Sequence, residues 1–166
     1  NPNGWIGFGE DNTVYLNTSI PSSSAPHPAI FGFWDDLNPV NNNCNDYCSG
    51  NVYVNSNPDR FVAWFDQVAG WWSSNPDSYY DFQIVLYYDG RFRVNYREME
   101  GITNSATIGY QNAAGTEGTM IAFDQTYVED NLSLEVDQTD NADWITLGTE
   151  TGEMDGQVTG GETFEI

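Results

Sequence analysis

Apolar and polar positions alternate along this chain in short runs, and no stretch of ten or more residues carries the three-to-four spacing of an amphipathic helix. The runs Trp5–Phe8, Val14–Leu16, Ala29–Trp34, Asn51–Val54, Arg60–Val68, Tyr80–Tyr88, Arg91–Tyr96, Ser105–Gln111, Met120–Phe123 and Leu132–Val136 are predicted strands. Clusters of Gly, Pro, Asn, Asp and Ser separate them, as at Pro21–Pro28, Asn38–Asn45, Asn55–Asp59, Gly70–Ser78 and Asn112–Gly118. Strands this short and evenly spaced predict an all-β fold, an antiparallel β-sandwich of jelly-roll type. The alternation lapses after residue 136. Residues 137–166 are rich in Gly, Thr and acids and read as a linker followed by the first strands of a second β module. The expected division is therefore 1–136 and 137–166.

The run FQIVLYYDGRFRVNYR (82–97) constrains its own register. A two-residue Asp89-Gly90 turn would pair Tyr88 with Arg91 and mix apolar and charged residues on both faces. A three-residue loop, Tyr88-Asp89-Gly90 with Gly90 left-handed, pairs Tyr87 with Arg91 instead. Phe82, Ile84, Leu86, Phe92, Val94 and Tyr96 then share one face, while Asp81, Gln83, Val85, Tyr87, Arg91, Arg93, Asn95 and Arg97 share the other. The second register makes a coherent core face, and a one-residue slip would destroy it. It sets Asp81 opposite Arg97, a cross-strand pair worth about 0.2–1 kcal/mol. Arg91, Arg93 and Arg97 either neutralise carboxylates of this same molecule, which Arg does bidentately, or form a docking stripe for an acidic neighbour. Val85 and Tyr87 beside them imply a partly covered face.

Charge narrows the partners. The chain has 25 acids against 4 basic residues, all arginine, for a net charge of −21. Nucleic acid and anionic membrane surfaces need Lys and Arg to bind, so both are excluded as expected partners. No apolar run is long enough to insert in a membrane. With aromatics at 15%, the acidity is not that of a disordered tail. The opening Asn1-Pro2-Asn3-Gly4 has no initiator Met and no signal peptide, and reads as the interior of a longer polypeptide.

Candidate chemistry lies mostly in loops. Cys44 and Cys48 could close a small disulfide loop in an oxidising compartment or supply two ligands to zinc; with one His and no second Cys pair, zinc is the weaker alternative. Asp35, Asp36, Asn38 and Asp46, with Asn41, Asn42 and Asn43 between them, concentrate the hard oxygen donors that calcium takes, or form an acidic surface loop. Asp137, Asp140, Asn141 and Asp143 at the proposed module junction offer a second calcium cluster, or a solvated linker. Trp71, Trp72, Tyr79 and Tyr80 flank a long hairpin loop, where they would make a platform for sugar rings or a protein partner, or pack over a sandwich edge. Catalysis has little to stand on. There is no Gly-x-Ser-x-Gly elbow and no His-Glu-x-x-His, and His27 lies in a Pro-His-Pro turn. Adjacent carboxylates such as Asp35/Asp36 and Glu98/Glu100 are expected in so acidic a chain.

Five stretches, NGWIGFG (3–9), IPSSSAPHPAIFGFWDDLNP (20–39), RFVAWFDQV (60–68), YDFQIVLYYDGRFRVNY (80–96) and ATIGYQNAAGTEG (106–118), together resemble the nidogen-like (NIDO-related) extracellular β domains. Each motif alone is unspecific; their order and spacing carry the likeness. It implies a non-catalytic structural or adhesive module of a larger secreted or cell-surface protein, with neighbouring modules or subunits as partners. Such domains usually begin with strands ahead of the Asn-Gly motif. Their absence implies an open edge near Trp5–Phe8, which could take a strand from a neighbour. The stretch from Trp144 resembles the start of Ig-like modules. The alternative expectations are a carbohydrate-binding module using Trp71, Trp72 and the Asp35–Asp46 loop, and an accessory domain of a secreted protease.

Overall fold

The structure is a computed structural model and describes residues 1–9, 12–41, 44, 48–71, 78–137, 150–151 and 163–164. Its strands are β1 (Trp5–Gly7), β2 (Ala29–Trp34), β3 (Leu37–Asn38), β4 (Asn51–Asn57), β5 (Arg60–Gly70), β6 (Tyr79–Tyr87), β7 (Phe92–Glu100), β8 (Thr107–Gln111), β9 (Gly118–Phe123), β10 (Ser133–Val136), β11 (Glu150–Thr151) and β12 (Thr163–Phe164). A four-stranded antiparallel sheet runs β1-β2-β8-β9. A six-stranded antiparallel sheet runs β10-β7-β6-β5-β3, with β4 also paired to β5. The described residues contain no helix, and the all-β sandwich is as the alternation predicts. Separately, β11 pairs with β12, Glu150 opposite Phe164.

The space between the sheets is filled with rings. Phe65 and Phe82 stack 4.4 Å apart, and Phe33 lies 4.7 Å from Tyr80. Each such fully buried side chain contributes about 1.5–3 kcal/mol relative to exposure. The buried Tyr96 hydroxyl donates to the Gly32 carbonyl at 2.6 Å, tying one sheet to the other without leaving either polar group orphaned. Burial raises the Tyr96 pKa, so this phenol stays protonated.

β2 (AIFGFW) is buried along its whole length because it has hydrophobic cover on both faces. A bulge opposite β8 falls between Phe31 and Trp34, and the Gly32 and Phe33 N–H groups both donate to the Gly4 carbonyl at 3.0 Å. Ile30 and Phe33 turn into the inter-sheet core, while Ala29, Phe31 and Trp34 join Trp5, Ile20 and Ala25 in a second cluster. Gly4 has φ +83°, and a Cβ there would sit 1.8 Å from the Phe33 oxygen, so the bulge needs glycine opposite it.

The chain from residue 12 to 28 covers that second cluster, and here the expected strand Val14–Leu16 is corrected. Val14 packs against the cluster and its carbonyl accepts from Trp5 Nε1 at 3.2 Å, while Tyr15 and Leu16 point to solvent. Three apolar residues without a ladder partner make a strap, not a strand. The buried Gln111 amide fastens the strap, donating to the Ser22 and Pro26 carbonyls and accepting from the Ser22 N–H.

The β6–β7 hairpin has the three-residue loop. Tyr87 N–H donates to the Arg91 carbonyl at 2.9 Å, Gly90 has φ +89°, and Leu86, Ile84 and Phe82 stand opposite Phe92, Val94 and Tyr96. The expected opposition of Asp81 and Arg97 is corrected by a bulge. Asp81 pairs with Glu98, Arg97 is the extra residue, and its guanidinium reaches Asp81 from there at 3.0 Å.

Candidate functional site

Alternation along β5, β6 and β7 puts one set of side chains in the core and the other on the outer face of the six-stranded sheet. All four basic residues of the chain, Arg60, Arg91, Arg93 and Arg97, carry their side chains there. Three of them are neutralised within the molecule. Arg91 binds Asp89 at 2.8 Å and Glu135 at 3.0 Å, Arg93 binds the same Glu135 directly across the β7–β10 ladder, and Arg97 binds the buried Asp81. The hydrogen bonds from Arg93 hold the Glu135 carboxyl below its ordinary pKa, and those from Arg91 do the same for Asp89. Among the described residues Arg60 has no ion pair, and it is exposed.

Arg60 borders a groove of about 410 Å³ that crosses β4, β5, β6 and β7. Its floor is apolar, with Val62, Val85, Tyr87, Tyr53 and Trp64. The Tyr53 and Trp64 rings lie 5.6 Å apart, tilted by 42°. Trp64 is held in place by a hydrogen bond from Nε1 to Asp81 Oδ1 at 3.0 Å. Asn55, Gln83 and Asn95 supply amides. Those of Asn55 and Gln83 have no side-chain partner among the described residues, while Asn95 Oδ1 accepts from Ser133. A second hollow of about 170 Å³ continues the groove past Trp64, Gln83 and Asn95 to Asp81 and Arg97. Among the described residues the larger groove is lined by no Asp, Glu, His, Ser or Cys, and the smaller by one carboxylate. Neither holds the paired acid and base that hydrolysis of a glycoside requires.

The other sequence candidates fall elsewhere. Asp35 is 2% exposed, accepts from Ser105 Oγ at 2.5 Å and from the Asp36 N–H at 2.8 Å, and is raised in pKa chiefly by burial. Asp36, half-buried beside it, is raised by burial and by the Asp35 charge. Asn38 is buried in β3. Asp35 is thus a buried hydrogen-bonded carboxylate and not a loop ligand facing solvent. Among the described residues no three His, Cys, Asp or Glu side chains are placed to share a metal. Asp137 is exposed; Asp46, Asp140, Asn141, Asp143 and Trp72 lie outside the described residues. Trp71 is 56% exposed, as a platform residue would be. Tyr80 is corrected from the surface to the core, 2% exposed, its hydroxyl donating to the Ile102 carbonyl at 2.7 Å and its pKa pushed up to about 12 by burial. Tyr79 is half-buried and donates to Glu98 at 2.9 Å. Cys44 and Cys48 form a disulfide, with Cα atoms 5.6 Å apart. The groove itself escaped sequence reading. Tyr53 and Trp64 belong to different strands and become neighbours only through the β4–β5 register, though Arg60, Val62 and Trp64 already share a face in the alternation.

Two antiparallel sheets packed around a ring-rich core, with one disulfide, define an all-β sandwich module. The chain belongs to the NIDO-related family, whose profile matches residues 1–154. Family and disulfide are both consistent with an extracellular setting. No curated protein and no solved structure matches the chain.

Proposed function

We propose that this is a non-catalytic structural or adhesive module of a larger secreted or cell-surface protein, and that it engages its partner through the outer face of the six-stranded sheet. The observation that carries this reading is the groove on that face, with the exposed Tyr53 ring beside half-buried Trp64 and Tyr87, free amides and an unpaired guanidinium, on a chain of net charge −21. Clustered exposed apolar surface rimmed by polar groups marks an interaction site. Strand exchange at Trp5–Phe8 is the second reading, supported by β1 standing at the end of its sheet with β2 as its one ladder partner among the described residues.

Hydroxyl-radical footprinting tests the reading. Tyr53, Trp64 and Tyr87 are compared in the isolated chain and in the parent protein on its native surface. Lower labelling of all three in the parent is expected. Equal labelling in both would remove the sheet face from the account.

A further inference from the structure

We infer that the groove across β4–β7 is an oligosaccharide site, and that it takes a glycan bearing a carboxylate, with Arg60 meeting the acid group. This rests on the sheet face being the binding surface. The central strands β5, β6 and β7 are paired on both sides, so the floor of the groove has no free main-chain ladder to offer a peptide strand, and the unpaired edge of β4 lies only at its margin. Recognition on the floor comes from side chains. The side chains present are two rings, Tyr53 and Trp64, that sugar C–H faces can lie on, and the unpartnered amides of Asn55 and Gln83, which both donate and accept. Sugar hydroxyls need that mixture, and the groove volume of about 410 Å³ suits a short run of rings.

Charge selects the acid. With 25 acids and 4 basic residues, nearly any surface of this chain repels an anion. The groove is the exception. Glu135 absorbs Arg93, but Arg60 keeps a planar donor fork without a carboxylate, at the groove's rim. Among the described residues the lining has no acid to oppose an incoming carboxylate.

The test is a printed glycan array carrying neutral, uronate and sialate oligosaccharides, probed with the full 166-residue chain, followed by fluorescence titration of the best glycan and its carboxyl-reduced form. Carboxylate-bearing glycans are expected to bind. Arg60→Gln and carboxyl reduction are each expected to weaken binding about tenfold or more. Combined, they should cost little beyond either alone, since they remove the same contact. Gln83→Ala is expected to weaken all bound glycans several-fold at an unchanged melting temperature. Binding of neutral glycans alone, or indifference to Arg60→Gln, overturns the assignment. If no glycan binds while the footprint on Tyr53, Trp64 and Tyr87 persists in the parent, the glycan falls and the interaction face stands. If the footprint is also absent, both fall.

Discussion

Asp35 shows how a single side chain that looks like a ligand in the sequence is spent on the fold. Burial raises its pKa, so the folded chain holds that proton more tightly than the unfolded chain does. The stabilisation this confers is full below the ordinary aspartate range and is lost as pH climbs through the raised value. Above it, a desolvated charge is carried by the native state alone. Asp35→Asn abolishes the titration; its amide oxygen can still accept from the Asp36 N–H, and its NH2 group can donate to Ser105 Oγ in place of the bond it accepted. The urea midpoint of the variant, relative to the wild type, is therefore expected to rise as pH passes upward through that window. A difference that stays level with pH would count against the assignment. Gly4 is the counterpart in the backbone. Gly4→Ala places a methyl group 1.8 Å from the Phe33 carbonyl at a φ of +83°. A loss of at least about 2 kcal/mol is expected by chemical denaturation. A smaller loss would mean that the β2 bulge can move aside.

At the level of the strand, the arginines are not equivalent. Arg97 supplies the charge partner of a carboxylate that is 2% exposed, though the guanidinium side is 60% exposed. Arg93 pairs on the open face with Glu135. Arg97→Ala strands the buried Asp81 with one hydrogen bond from Trp64, and about 1–2 kcal/mol is expected to be lost. Arg93→Ala is expected to cost clearly less, because its pair with Glu135 lies open to water. Urea titration at constant m-value ranks the two, and equal losses would refute the distinction. Alternation made the β6–β7 register readable before any coordinates, because a slip by one would have buried charge. The bulge at Arg97 left a single trace in the sequence. Met99 is buried in the core on the opposite phase to Phe92, Val94 and Tyr96, and one apolar residue at the end of a strand is too little to fix a shift. β3 is two residues long and carries no periodicity of its own. The strap over Trp5 and Trp34 was hidden for a related reason, since a continuous apolar β2 announces two buried faces without naming what covers the second.

For the whole molecule the governing quantity is the net charge of −21. The groove was illegible in the sequence because it is a property of this scale: four strands, brought together by long-range pairing, and one face gathering every cation of an acidic chain. That gathering also predicts the salt response. Added salt screens the repulsion among carboxylates, which favours the compact state, and it weakens the Arg91 and Arg93 pairs, which opposes it. The exposed pairs contribute little each, whereas the repulsion is summed over the whole surface, so screening wins. The urea midpoint is expected to rise between roughly 20 mM and 500 mM sodium chloride, over a range in which the Debye length falls from tens of ångströms to a few. The cost of Arg93→Ala should shrink over the same range. Calcium and magnesium at equal concentration are expected to act alike, as counterions to a diffuse field. A saturable surplus for calcium would instead require oxygen ligands held in place.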